Sequence, residues 1–245
     1  DYEGVNVRVD EGRSFVSRSR ERYDLIYMAL TKTATTTTSS LALLESYAHT
    51  VEAFEQYLTH LTERGAIAFV AQSPLVLLRT MLTAVAALER QGVERREAFR
   101  HVCLMGVLPQ VAARSPYRYL LLVWKQPLSP QRSRELATRC IASGLEPALF
   151  PQAFEPEPFP LLTRDAVTDG EFVAYWNRWY GGALKVDFSP CTDDRPFVAD
   201  MSVGVPPQFV RFVAVALAGV VLLTAWVVAA SRRFARGGPG APALG

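Results

Sequence analysis

The residues in this chain best suited to chemistry are three groups of acids. Asp10-Glu11-Gly12 follows the alternating run Val5-Asn6-Val7-Arg8-Val9. An acid at the end of such a strand in a doubly wound sheet accepts hydrogen bonds from a nucleoside. The same residues also suit a turn with an acidic helix start, where a carboxylate complements the helix dipole. Asp193-Asp194-Arg195-Pro196 offers paired carboxylates for a cationic substrate, or else a turn closed by a local Asp–Arg ion pair. Glu45, near the end of the hydroxyl-rich Thr31–Ser40 run, either faces a site or is a solvated helix charge.

Other chemistries find little support. The net charge is +2 in 245 residues, and no basic stretch is interleaved with aromatics, so nucleic acid is not an expected partner. Cys103, Cys140 and Cys191 lie far apart, as do His49, His60 and His101. That spacing fits neither a disulfide framework nor a zinc site, and no metal is expected.

The elements that must position these acids follow from periodicity. Val5–Val9 predicts a short strand and Tyr23–Met28 a second, apolar enough to be covered on both faces. Thr31–Ser40 favours turns and caps over helix. Helical character runs from Leu41 to Leu61, with Thr50 as an N-cap and Gly65 as the stop before a third strand, Ala66–Ala71. Ser73–Gln91 predicts an amphipathic helix, His101–Leu108 and Tyr117–Lys125 an antiparallel strand pair, and Ser129–Ser143 a helix opening Ser-Pro. This alternation argues for an α/β domain over residues 1–150. Residues 151–207 form a Pro-rich connector with an aromatic helix at Gly170–Tyr180, whose rings either stack on a ligand or pack in the core. Phe212–Ala230 carries no charge and spans roughly 28 Å as a helix, close to a bilayer's hydrocarbon thickness. A transmembrane helix is therefore expected over 208–233, followed by a disordered tail over 234–245.

The series Asp10–Phe15, Tyr23–Ile26 and Glu45–Phe54 resembles the spermidine synthase family. It is more similar still to the large membrane-embedded spermidine synthase-like proteins, which carry Thr-Asp-Asp-Arg-Pro-Phe shortly before a membrane segment, here Thr192–Phe197. The likeness is good over about residues 5–71 and 189–200 and weak between them. It implies the C-terminal portion of a Rossmann-like sheet of the type shared with S-adenosylmethionine-dependent methyltransferases. It also implies a donor, decarboxylated S-adenosylmethionine or S-adenosylmethionine itself, with Asp10, Glu11 and Gly12 as its contacts. Glu11 stands where the family has the Asp that meets the adenine.

The family's catalytic Asp and its following Asp-Pro pair fall on Ala29, Lys32 and Thr33 here. Carboxylates there would bind the polyamine and take up its proton. An alanine does neither, and Lys32 repels a polycation. The remaining candidate acids are Glu45, Asp193 and Asp194. The family's Gly-rich turn belongs before Val5, and neither Gly181-Gly182 nor Gly237-Gly238 sits in a strand-to-helix turn.

The expectation is a membrane-anchored transferase acting on a small-molecule acceptor other than a standard polyamine. Its donor site would be completed by an upstream portion of the same protein, since the chain opens on Asp with no apolar leader. The alternatives are a catalytically inactive binding or scaffolding protein, and a methyltransferase whose acceptor pocket is lined by Thr31–Ser40. The arginines after the apolar helix favour a cytoplasmic C-terminus. Unpaired cysteines and a cytosolic donor favour a cytoplasmic α/β domain instead, the orientation adopted, in a bacterial inner or cell membrane.

Overall fold

In the computed structural model, residues 4–29, 46–108, 110, 118–162, 169–179, 186–199 and 207–236 are described. Five strands, β1 (Tyr23–Ala29), β2 (Leu61–Ala71), β3 (Val102–Val107), β4 (Tyr119–Trp124) and β5 (Leu145–Leu149), form one sheet in the order β1-β2-β4-β3-β5. β1 and β2 are parallel, whereas β4 runs antiparallel to both β2 and β3, and β5 antiparallel to β3. The helices are α1 (Gly12–Arg18), α2 (Val51–Thr59), α3 (Pro74–Arg90), α4 (Arg95–Ala98), α5 (Pro130–Ala142), α6 (Phe159–Leu162), α7 (Asp169–Trp179) and α8 (Pro207–Arg236). The expected α/β class, with flanking helices and a C-terminal apolar helix, is what the chain adopts.

Strand alternation sorts the sheet into two faces. Ile26 and Met28 of β1, Ile67 and Phe69 of β2, and Leu121 and Val123 of β4 face α2 and α3 in the main core. α2 presents Phe54 and Leu58 there, and α3 presents Met81, Leu82 and Val85. On the opposite face, Cys103, Leu122 and Trp124 pack under α5 through Leu136, Ala137 and Cys140.

Hydroxyl caps start the long helices. Thr50 accepts from the Ala53 N–H, Ser73 from Leu75 and Ser129 from Arg132, and Pro74 and Pro130 occupy the first helical positions.

Two expected boundaries are corrected. Gly65 does not stop a helix, because α2 ends at Thr59 and β2 already begins at Leu61. Gly65 lies inside β2, where a Cβ would stand 2.7 Å from the Tyr23 carbonyl oxygen. Its glycine allows β1 to approach, next to a register shift between Tyr23 and Leu25. Val5–Val9 forms no strand, and its three valines are exposed. Among the described residues β1 pairs with β2 alone, so nothing stands beside Val5–Val9 to take its backbone hydrogen bonds.

The aromatic helix is present as α7. Its Phe172 is fully buried and packs against Phe159 of α6 and against Phe188, ring centroids 6.3 and 6.2 Å apart. At this position the packing reading of the aromatics holds. The chain divides into two units, residues 1–201 and 202–245. In the second, Val210–Arg232 forms 23 helical residues long and apolar enough to cross a membrane. Among the described residues no three His, Cys, Asp or Glu side chains converge as metal ligands.

Candidate functional site

The start of α2 is where the sequence motifs meet. Arg13, on α1, donates to both carboxylate oxygens of Asp193 at 2.7 and 2.9 Å. Its remaining reach is taken by Gln56 Oε1 and the Tyr47 carbonyl, each at 3.0 Å. The Thr50 hydroxyl donates to Asp193 Oδ1 at 2.6 Å, and the Asp193 N–H donates to Glu52 Oε2 at 2.9 Å. The Arg13 guanidinium, helped by the Thr50 hydroxyl, holds the Asp193 carboxyl below its ordinary range. Two motifs that lie 180 positions apart thus converge on one helix start.

Residues 186–199 cross this face as a strap. The Ser46 N–H donates to the Pro196 carbonyl at 2.7 Å and the Val51 N–H to the Cys191 carbonyl at 2.8 Å. The fully buried Arg79 of α3 donates to the carbonyls of Ser189 at 2.9 Å and Phe197 at 3.1 Å. Asp187 lies 4.0 Å from Arg79 and 2.9 Å from Arg195. The turn expected at 192–195 is present, closed by the Arg195 N–H on the Thr192 carbonyl at 2.9 Å. The local ion pair is not the expected one: Arg195 takes Asp187, leaving Asp193 to Arg13 and Asp194 exposed.

The proposed donor contacts are committed elsewhere. Glu11 is the N-cap of α1, accepting from the Arg13 and Ser14 N–H groups at 3.0 and 2.7 Å. Partial burial pushes its carboxyl up, but those backbone donors outweigh it and hold the pKa low. Asp10 pairs with Arg18 and accepts from the Glu11 N–H, which lowers its pKa. Gly12 opens α1, and a Cβ there would meet nothing within 4 Å. The acidic helix start is therefore realised in full. Each oxygen of these carboxylates accepts one hydrogen bond inside the chain, which leaves further lone pairs on both groups. Glu45, Lys32, Thr33 and the Thr31–Ser40 run lie outside the described residues. Ala29 is the last residue of β1, partly buried and without a carboxylate.

Beyond the carboxyl ends of β1 and β2, a groove of about 180 Å³ is bordered by Tyr27, Val70, Met105, Leu120 and Leu145, with Arg118 at its rim. Sequence reasoning missed this groove and also Arg79 and Arg13. Arg79 could have been noticed as one charge in the apolar run Leu75–Leu88, though its carbonyl partners carry no sequence signal.

Solved spermidine synthases are structural neighbours of this chain. A probable spermidine synthase from Corynebacterium glutamicum aligns at 18% identity and a TM-score of 0.35, over 58% of this chain and 48% of that one. The spermidine synthase from Thermotoga maritima aligns at 14% identity and a TM-score of 0.32, over 54% and 40%. The chain spans less than half the length of either. No protein-family model matches it, and no curated protein does.

Proposed function

We propose that this chain belongs to a membrane-anchored, spermidine-synthase-like α/β protein whose ligand is not a polyamine. The observation that carries this is the state of the acids. β1 ends in Ala29, Asp193 is held by Arg13, Asp10 and Glu11 serve Arg18 and the α1 cap, and among the described candidate acids this leaves Asp194 alone, exposed in a surface turn. A polycation needs free carboxylates, both for binding and for accepting the proton lost on transfer.

Two readings of the activity follow. In the first, the protein is a transferase that takes a group from S-adenosylmethionine or a relative of it to an uncharged or anionic acceptor. An upstream portion of the same protein then supplies the glycine turn and acid for the donor, and the edge of β1 that is unpaired among the described residues is where its strands would add. In the second, the fold serves as a binding or scaffolding module at the membrane, favoured by the commitment of Asp10 and Glu11 to α1. Calorimetry on the full-length natural protein with methylthioadenosine and with S-adenosylmethionine separates them. Saturable binding of either supports the transferase. Failure of both removes it and leaves the binding module.

A further inference from the structure

On the sheet face away from α2 and α3, α5 covers Cys103, Leu122 and Trp124, but Leu25 and Tyr27 of β1 remain more than half exposed. The bare region lies at the carboxyl ends of the parallel pair, the end of an open α/β sheet that receives ligands. Register places Val70, Leu120 and Met105 in one row across β2, β4 and β3. Tyr27, opposite Ala68, and Leu145, opposite Val107, lie on the same face two residues to either side of that row and complete the groove of about 180 Å³. Arg118, at the rim, is the one charged side chain in the lining. Among the described residues neither the Arg118 guanidinium nor the Tyr27 hydroxyl makes a hydrogen bond or ion pair.

We infer that this groove binds a small amphiphilic carboxylate, its apolar body on Val70, Met105 and Leu120 and its anionic head on Arg118. The charge decides the occupant. Among the described residues no acid lines the groove beside Arg118, and such a guanidinium repels an amine but forms charge-assisted, bidentate hydrogen bonds with a carboxylate. The Tyr27 hydroxyl supplies a further donor at the wet end of an apolar wall. Size sets the rest: the volume falls below that of drug-sized pockets and suits a molecule on the order of ten non-hydrogen atoms. The inference deepens the functional reading above and rests on it, in that it makes the ligand the electrostatic opposite of a polyamine.

The test uses the full-length natural protein in lipid nanodiscs, titrated by NMR with octanoate, octanamide and octylamine. Octanoate is expected to bind about tenfold more tightly than octylamine. Arg118→Gln should erase that preference while leaving octanamide unchanged, and Tyr27→Phe should weaken octanoate by a few-fold. Both positions are exposed, so the variants fold, which circular dichroism checks. Equal affinity for the amine and the acid, no octanoate binding, or an unchanged preference in Arg118→Gln overturns the assignment. Titration of S-adenosylmethionine in the same samples keeps the two proposals apart: octanoate binding without donor binding supports the groove and removes the transferase, and donor binding without octanoate does the reverse.

Discussion

Arg13 and Asp193 lie at opposite ends of the α/β unit in sequence and form a two-pronged ion pair on the first turn of α2. The pair closes a loop of 180 positions, so its contribution goes to holding the strap in place. Asp193→Asn keeps the shape and removes the charge. Because the Asp193 side chain is 38% exposed, solvent screening limits the loss to about 1–2 kcal/mol. Urea denaturation of the wild type, Asp193→Asn, Arg13→Ala and the double variant would measure it, and single-variant losses that add fully in the double variant would refute the pairing.

Acid should loosen the same strap. Asp193, Asp187 and Glu11 all have pKa values below their ordinary ranges in the folded chain. A carboxyl lowered by folding binds its proton more readily when unfolded. Its contribution is complete above the unfolded pKa and is lost as pH falls through the folded one. Stability should therefore hold near neutrality and decline from about pH 5 downward, with a shallower decline in Asp193→Asn. Denaturation midpoints at a series of pH values would show this, and a flat profile between neutrality and about pH 3 would count against it.

Arg79 has no exposed surface, and it is the hinge pin between α3 and the strap. Truncation to Ala leaves the Ser189 and Phe197 carbonyls without their donor and removes a charge balanced by Asp187. A loss of about 3–5 kcal/mol is expected, with Arg79→Lys recovering part of it. Limited proteolysis should then cut within residues 186–199 before the rest of the unit. Cleavage of Arg79→Ala at the wild-type rate would show that the strap is held by other contacts.

How much of this was legible in sequence depends on whether a feature is local. The caps at Thr50 and Ser129 were readable because a hydroxyl, or a Ser-Pro pair, acts within a few residues. The β3 and β4 strands, the α3 and α5 helices and the apolar C-terminal helix were readable from period and length. Val5–Val9 failed because alternation states what a strand would bury, not whether a neighbour exists to pair with it. Gly65 failed because its reason is the Tyr23 carbonyl, which lies 42 positions away and touches it only after β1 and β2 align. The site divided the same way. Asp193 was visible as an acid, but its partner Arg13 was set by tertiary folding alone.

Gly65 offers a sharp check on the β1–β2 pairing. An Ala there places its methyl against a backbone oxygen that cannot rotate away. Gly65→Ala should cost about 1–3 kcal/mol, more than the entropy gained from removing a glycine. Hydrogen exchange should quicken first in the β1 amides bonded to β2. A stabilised variant, the ordinary result of Gly→Ala at an unstrained site, would show that the close approach is absent in solution.

The apolar helix makes a membrane location testable. Val210–Arg232 extends about 35 Å at 1.5 Å per residue, against a hydrocarbon core of about 30 Å. Thr224 donates back to the Val220 carbonyl at 2.8 Å, so its hydroxyl is satisfied inside the helix and adds little cost in lipid. Arg211 precedes the apolar stretch and Arg232 and Arg233 follow it, leaving no charge between. If the helix spans a bilayer, the full chain should stay with membranes through alkaline carbonate washing. Replacing Val220 and Leu222 together by Arg should release it, since each charge near the helix centre costs about 2.5–3.5 kcal/mol on insertion scales. Extraction of the wild type by carbonate would mean that the helix instead lies against protein, and the membrane reading would fall with it.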